Sequence, residues 1–132
     1  MVDVRNLDVD EERLIRTTDV EITRYGEGWD AAPVIDAIER LASRVDHLYL
    51  HIDSDILDAS LQPNHTTAEP NGPGLEPVRA AIDAAAATGK VRAFAVVSVN
   101  PEGAEGEISL QSGKEMILAG VAAINRAREV AV

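Results

Sequence analysis

Two apolar runs on either side of a helical pattern constrain the fold of this chain most strongly. Leu48–Ile52 lacks polar alternation, which is typical of a strand covered on both faces, and Val91–Val99 is a second apolar strand. Between them a helix is predicted from about Glu76 to Thr88, ended by Gly89. Strands that alternate with helices in this way indicate an α/β architecture with a mainly parallel sheet.

The rest of the chain continues this alternation of strands and helices. Its 132 residues fit one domain, 1–132. Asp8, followed three residues later by Glu11, has the pattern of a capping box at the start of a helix. The remaining predicted elements are two short strands, Val2–Leu7 and Val20–Arg24, and three helices, Glu11–Thr17, about Asp30–Arg44 and about Gln111–Arg128.

Charge and composition exclude several classes of function. A net charge of −11 argues against nucleic acids and anionic membranes as partners. No apolar stretch reaches the length of a membrane helix, and the acidic start, MVDVRNLDVDEE, lacks the apolar core of an export signal. The chain has no cysteine, which excludes disulfides and thiolate metal sites. We therefore expect a cytoplasmic protein with no nucleic-acid or membrane partner.

Carboxylates are concentrated in HIDSDILD, residues 51–58, at the end of the first apolar run. Asp53 and Asp55 are two residues apart, so in an extended segment they project to the same side. Two carboxylates aimed at one point repel each other unless a cation or a shared proton lies between them. Hard oxygen ligands suit Mg²⁺, Ca²⁺ or Mn²⁺. The alternative is that these residues cap loops and turns, as Asp often does.

Other polar residues are predicted at the same edge of the sheet. Ligands of open α/β sheets bind beyond the carboxyl ends of strands, where Ser98 and Asn100 follow the second apolar run. The irregular region 53–74 is long enough to suggest a functional loop. His51, which alternates with Asp53, and His65, within the loop, remain candidates for the site, whereas His47 is expected to be exposed.

A longer stretch carries a family resemblance. HIDSDILDASLQPNHTTAEPNGPG resembles the second metal-binding signature of the arginase/agmatinase (ureohydrolase) family, roughly S-F-D-x-D-x-x-D-P-x-x-x-P-x-x-G-T-P-x-x-G-G. VVSVNP, residues 96–101, resembles the family's E-V-N-P, and VDVRNLD, residues 2–8, resembles its G-x-R-D segment. The matching positions of the signature are Asp53, Asp55, Asp58, Pro63, Thr67 and Gly72.

The resemblance implies a three-layer α/β/α sandwich and a binuclear manganese centre. Asp53 and Asp55 match residues that bind the two Mn²⁺ ions, whose bridging hydroxide attacks a guanidinium-like carbon. Behind these ligands, the loop is expected to be supported by Asp58 and His51. The residues expected on the substrate side are Thr67, Ser98 and Asn100.

Departures from the family pattern limit what this chain can do alone. The family's G-G-D-H and D-A-H-x-D segments are absent, which leaves two of six usual ligands, and Ser98 replaces the glutamate of E-V-N-P. The leading interpretation is the C-terminal half of a manganese-dependent hydrolase of guanidinium or amidine C–N bonds, inactive in isolation. The alternative is a non-catalytic, divergent binding or assembly module. An interrupted sheet predicts association with the missing half or with copies of the chain.

Overall fold

A computed structural model describes residues 1–130 of the chain. Three short 3₁₀ turns, Glu27–Trp29, Ser54–Ile56 and Ala59–Leu61, connect its longer elements. Those elements are the strands β1 (Leu48–Asp53) and β2 (Val91–Val97) and the α-helices α1 (Val9–Ile15), α2 (Ala32–Ala42), α3 (Leu75–Ala87) and α4 (Gly106–Val130).

The two strands form a parallel pair. Their register runs from Leu48 opposite Val91 to Asp53 opposite Val97. Parallel neighbours require a crossover connection, and α3 provides it. The predicted α/β class with a parallel sheet is therefore confirmed, and both carboxyl ends lie at the same edge.

One face of this sheet carries the core. Leu50 and Ile52 pack with Phe94 and Val96 against α3 and α4. Small residues let α4 approach closely, because a Cβ on Gly120 would lie 2.2 Å from the Phe94 ring. The buried members of the core are Ile52, Leu57, Val78, Ile82, Ala86, Met116 and Ala123.

The opposite face of the sheet is open in residues 1–130. Tyr49 is 61% exposed and His51 is also exposed. The expectation that Leu48–Ile52 is covered on both faces is therefore wrong for the described part of the chain. The residues described here form the sheet and a helical layer on one side, which are two of the three layers that the resemblance implies.

The N-terminal region differs most from its predicted structure. The expected strands over Val2–Leu7 and Val20–Arg24 are replaced by a single bridge between Val2 and Thr23. Asp3 adopts a φ of +50°, which ends the extended conformation immediately after that bridge. Thr23 still exchanges backbone hydrogen bonds with Met1 and Asp3, at 2.9 and 2.8 Å.

Helix boundaries follow local capping chemistry. The predicted capping box of α1 is present, with Asp8 accepting from the Asp10 and Glu11 amides and Glu11 accepting from the Asp8 amide. α1 ends at Ile15, two residues before the predicted end at Thr17, where threonine hydroxyls begin to bond the preceding carbonyls. The last helix begins at Gly106 instead of Gln111, because Gly106 admits the Pro101 carbonyl where a Cβ would lie 1.9 Å from its oxygen.

Candidate metal centre

The end of β1 places two carboxylates and an imidazole side by side. Asp53 is the last residue of β1, and the 3₁₀ turn that follows positions Asp55. The irregular loop then returns His65 to the same point. One ligand atom from each of these three residues lies within 4.8 Å of the other two. Sequence reasoning left His65 open, because its position depends on the path of a loop without regular structure.

Thr67 connects the members of this cluster. Its hydroxyl donates to Asp55 Oδ2 at 2.9 Å and lies 2.9 Å from His65 Nδ1. The Thr67 amide also donates to His65 Nδ1, at 3.2 Å. On the other side of the ring, His65 Nε2 lies 3.7 Å from Asp53 Oδ1. Thr67, expected on the substrate side, is therefore hydrogen-bonded to two of these three residues, which together are called the acidic cluster below.

Asp58 closes the loop that carries the cluster. Its Oδ1 accepts from the Ser60 hydroxyl at 2.6 Å and from the Ser60 amide at 3.0 Å, and its Oδ2 accepts from the Gly72 amide at 3.2 Å. These hydrogen bonds, above all the one from the Ser60 hydroxyl, lower the pKa of Asp58 from 3.8 to about 2. The carboxylate thereby joins the two ends of the loop segment 58–72.

Arg5 holds the same loop from the N-terminal segment, and sequence reasoning did not single it out. Its guanidinium donates to the carbonyls of Asp55, Ile56 and Leu57, the last two at 3.0 and 3.1 Å, and to the Glu69 carbonyl at 3.2 Å. The available signal was its place in VDVRNLD, the segment that resembles G-x-R-D.

Gly72 makes this arrangement of Arg5 possible. A Cβ at Gly72 would lie 1.9 Å from Arg5 Nη1 and 2.7 Å from the Asp58 amide nitrogen. Any larger residue at this position therefore displaces either the guanidinium or the chain at Asp58. The match of Gly72 to a signature glycine has a direct steric reason in this structure.

The other predicted site residues lie around the cluster without joining it. Ser98 is exposed, with a φ of +61°, and its backbone carbonyl accepts from Ser54 Oγ at 2.8 Å. Asn100 Nδ2 donates to the Asn64 carbonyl at 3.1 Å, which braces the long loop against the segment after β2.

His51 does not enter the loop that it was expected to support. Its Nδ1 lies 2.9 Å from the Tyr49 hydroxyl on the open face of the sheet. Within residues 1–130, no hydrogen bond joins His51 to Asp53, Asp55 or His65. His47 is exposed, as expected.

A cavity of about 660 Å³ runs beside β1 and reaches the acidic cluster. Its walls come from the N-terminal segment, the edge of β1 and the first turns of α3. Asp53, Asp55 and Thr67 are among its polar lining residues, and Leu50, Ile52 and Val78 are among its apolar ones. A small cationic molecule that enters this cavity meets carboxylates.

The donor set at the cluster fits a divalent metal but does not complete its coordination. Carboxylate oxygens suit Mn²⁺, and imidazole nitrogen is a common ligand of first-row transition metals. Asp53, Asp55 and His65 supply three donor residues, fewer than the six or so that hard cations usually take. The remaining ligands must come from water, substrate or other protein segments.

Fold and cluster together define an α/β protein with potential metal ligands at the carboxyl end of a parallel strand. The chain belongs to the arginase family, because the model described as "Arginase family" matches residues 1–122. A curated relative is the formimidoylglutamase of Ralstonia nicotianae, which is 32% identical over 68 residues, or 52% of this chain and 21% of that protein.

Solved structures with similar folds include arginases and an agmatine ureohydrolase. Entamoeba histolytica arginase matches 91% of the chain and 41% of its own, with a TM-score of 0.78 and 23% identity. Bacillus caldovelox arginase matches 90% of the chain and 40% of its own, with a TM-score of 0.74 and 24% identity. Thermoplasma volcanium agmatine ureohydrolase matches 99% of the chain and 43% of its own, with a TM-score of 0.69 and 19% identity. The chain thus spans about two fifths of these proteins.

Within the described residues, every helix is too short or too polar to cross a membrane.

Proposed function

We propose that this chain contributes part of the active site of a manganese-dependent ureohydrolase, which cleaves a guanidinium or amidine C–N bond. The observation that carries the proposal is the pairing of Asp53 and Asp55 at the carboxyl end of β1, within the family signature. Their mutual repulsion is relieved by a divalent cation. Two Mn²⁺ ions are proposed for the complete site.

Five residues of the loop and its surroundings have a definite part in this proposal. Asp53 and Asp55 hold the metal ions, and Thr67 orients Asp55 through its hydroxyl. Arg5 and Asp58 keep the loop in the conformation that points both carboxylates into the cavity. Bound divalent ions supply the activation of water that hydrolysis of a C–N bond requires.

The carboxylates of Asp53 and Asp55, which line the cavity, favour a small cationic substrate. Ser98 stands where the family pattern has glutamate, so any contact from this residue to a guanidinium group is a neutral hydrogen bond. A neutral contact is weaker than a charge-assisted one. We therefore propose a guanidinium or amidine substrate that is not held by a carboxylate at position 98.

The site is proposed to be completed by the remaining part of the fold or by another copy of this chain. Three donor residues and a sheet covered on one face are consistent with a partial site that is inactive alone. We propose the cytoplasm as the compartment, in line with a chain free of cysteine. The alternative of a non-catalytic module is not favoured, because the acidic pair retains the family's arrangement at the strand end.

Calorimetric titration with MnCl₂ tests the proposal. We expect weak binding by the 132-residue chain and a loss of at least about tenfold in affinity for Asp53→Asn and for Asp55→Asn. Asp46→Asn is the matched control, because Asp46 is exposed and precedes the opposite end of β1. Binding that is unchanged in both site variants contradicts the proposal, and so does tight binding of two ions by this chain alone.

A further inference from the structure

We propose that His65 supplies a third protein ligand to the metal site, through its Nε2 atom. This inference rests on the proposed function, since it adds a nitrogen donor to the pair Asp53 and Asp55. The family signature leaves this position unspecified, in the pattern P-x-x-G-T that aligns with Pro63–Thr67. A histidine ligand here is therefore a property of this chain and separate from its match to the signature.

The first argument is the position of the ring. The His65 side chain is 12% exposed, whereas that of Asp53 is 45% exposed, so the imidazole forms the inner wall of the cluster. Backbone hydrogen bonds hold it there, from the His65 amide to the Gln62 carbonyl and from the Ala68 amide to the His65 carbonyl, both at 3.1 Å. The ring is thus fixed before any ion arrives.

The second argument is the distance between His65 and Asp53. Nε2 lies 3.7 Å from Asp53 Oδ1, which is longer than a hydrogen bond. Two ligands of one Zn²⁺ ion lie about 2.0–2.2 Å from the metal and so roughly 3–3.6 Å from each other, which is close to this separation. The gap between these atoms therefore suits a shared ion better than a direct contact.

The third argument is the hydrogen bonding of the other ring nitrogen. A metal-bound histidine usually donates its second N–H to a partner that fixes the tautomer. His65 Nδ1 lies 2.9 Å from Thr67 Oγ1, which itself donates to Asp55 Oδ2 at 2.9 Å. With a proton on Nδ1, a series of hydrogen bonds runs from His65 through Thr67 to Asp55, and Nε2 keeps its lone pair for the ion.

The apo and metal-bound forms differ in this scheme in the ring nitrogen that carries the proton and in the Thr67 group that bonds to Nδ1. Without an ion, Nδ1 accepts from the Thr67 amide at 3.2 Å and the proton resides on Nε2, facing Asp53. To bind an ion, Nε2 would release its proton to solvent and Nδ1 would take one up, with the Thr67 hydroxyl as the acceptor of that new N–H. Because two N–H groups cannot point at each other, the Thr67 amide gives up its bond to Nδ1 in the second tautomer, and the Thr67 hydroxyl replaces it as the partner of that nitrogen.

Pulsed electron paramagnetic resonance of the chain with one equivalent of Mn²⁺ tests this assignment, because it detects nitrogen bound to the ion. We expect nitrogen modulation from an imidazole in the unaltered chain. The modulation should disappear in His65→Asn, whose side chain can retain the bonds at the Nδ1 position but has no Nε2. His65→Gln should lose it as well, with Mn²⁺ affinity reduced by about tenfold.

His51→Asn and His47→Asn are the matched controls and should retain the nitrogen signal. If the signal is absent from the unaltered chain, or persists in His65→Asn, while Asp53→Asn still abolishes Mn²⁺ binding, His65 is not a ligand and the proposed function stands. If Asp53→Asn leaves Mn²⁺ binding unchanged, the proposed function itself is wrong. Circular dichroism of each variant verifies that a lost signal is not a lost fold.

Discussion

The buried hydroxyl of Ser54 donates a 2.8 Å hydrogen bond to the backbone carbonyl of Ser98. This bond joins the carboxyl end of β1 to that of β2, at the edge where the acidic cluster lies. Ser98 has a φ of +61°, outside the extended conformation of the strand that it follows. The contact thus fixes the start of the loop after β1, residues 53–74 (the acidic loop), relative to the segment that follows β2.

Removal of this hydroxyl should destabilise the fold. Ser54→Ala leaves the Ser98 carbonyl without its partner in a site where Ser54 is fully buried. We expect the free energy of unfolding to fall by about 0.5–1.5 kcal/mol, the usual net contribution of one hydrogen bond, because Ser98 is itself exposed and its carbonyl can bond to water. Urea denaturation followed by circular dichroism measures this change. Ser43→Ala, at the exposed end of α2, is the control, and an equal loss in both variants contradicts the prediction.

Arg5 should determine the order of the acidic loop more than the stability of the core. Its guanidinium contacts carbonyls on both arms of that loop. In Arg5→Met we expect faster amide hydrogen exchange in residues 55–72, with a loss of local stability of about 2 kcal/mol. The amides of α3 and β2 should keep their protection.

Arg5→Lys separates the roles of charge and geometry. Lysine retains the positive charge but lacks the planar fork that reaches several carbonyls at once. We expect it to recover less than half of the lost protection. Arg13→Met is the control on the exposed surface, and faster exchange throughout the chain in Arg5→Met contradicts a role confined to the loop.

Asp58 should make stability depend on acid pH. Its folded pKa is about 2, below its ordinary value of 3.8, so the carboxylate stabilises the fold above about pH 4. That contribution is lost as pH falls from about 4 through 2. We expect Asp58→Asn to be less stable than the unaltered chain at pH 6. The difference in urea midpoint between the two proteins should be smaller at pH 4 and smaller again at pH 3. Urea midpoints at these pH values measure it, and a constant gap contradicts the assignment.

The sequence predicted the parts of this structure that depend on local patterns. The parallel β1–α3–β2 unit follows from two apolar runs and an intervening helix, and the Asp8 capping box follows from its spacing. The expected strand over Val2–Leu7 failed because Asp3 adopts a positive φ, which no pattern in that segment signals. No local sequence pattern places Arg5 against the acidic loop either, because this contact joins positions that are 50 residues apart.

The candidate site shows the same division. Asp53 and Asp55 were predicted together because they are neighbours at the end of one strand. His65 was left open, because its approach to Asp53 depends on the path of the irregular loop between them. Thr67 was found through the signature, but its bridge between Asp55 and His65 is a property of the folded loop.

Tyr25 should make stability depend on alkaline pH. Its hydroxyl is buried without a hydrogen-bond partner among residues 1–130, and burial, with a smaller effect of the Asp3 charge, raises its pKa to about 12. The raised pKa means that the fold favours neutral tyrosine, so stability is lost as pH rises from about 10 through 12. We expect Tyr25→Phe to reduce this loss. Urea midpoints at pH 9 and pH 11 measure it, and an identical loss in both proteins contradicts the prediction.

The free edge of β1 should drive association between copies of this chain. In residues 1–130, β1 pairs with β2 alone, and the cavity of about 660 Å³ lies along its other edge. Unpaired strand edges attract further strands, and a lysine on such an edge opposes this pairing. We therefore expect the mass measured by light scattering to rise above 14.1 kDa with concentration, and Tyr49→Lys to return it towards that value.

Leu14→Lys provides a control for a general effect of added charge. Leu14 is 67% exposed in α1, far along the chain from the strand edge, so its replacement should leave association unchanged. If both variants lowered the measured mass equally, net charge rather than the β1 edge would govern association. A mass of 14.1 kDa at every concentration would show that the edge is protected in solution, and that completion of the site by a second copy does not occur.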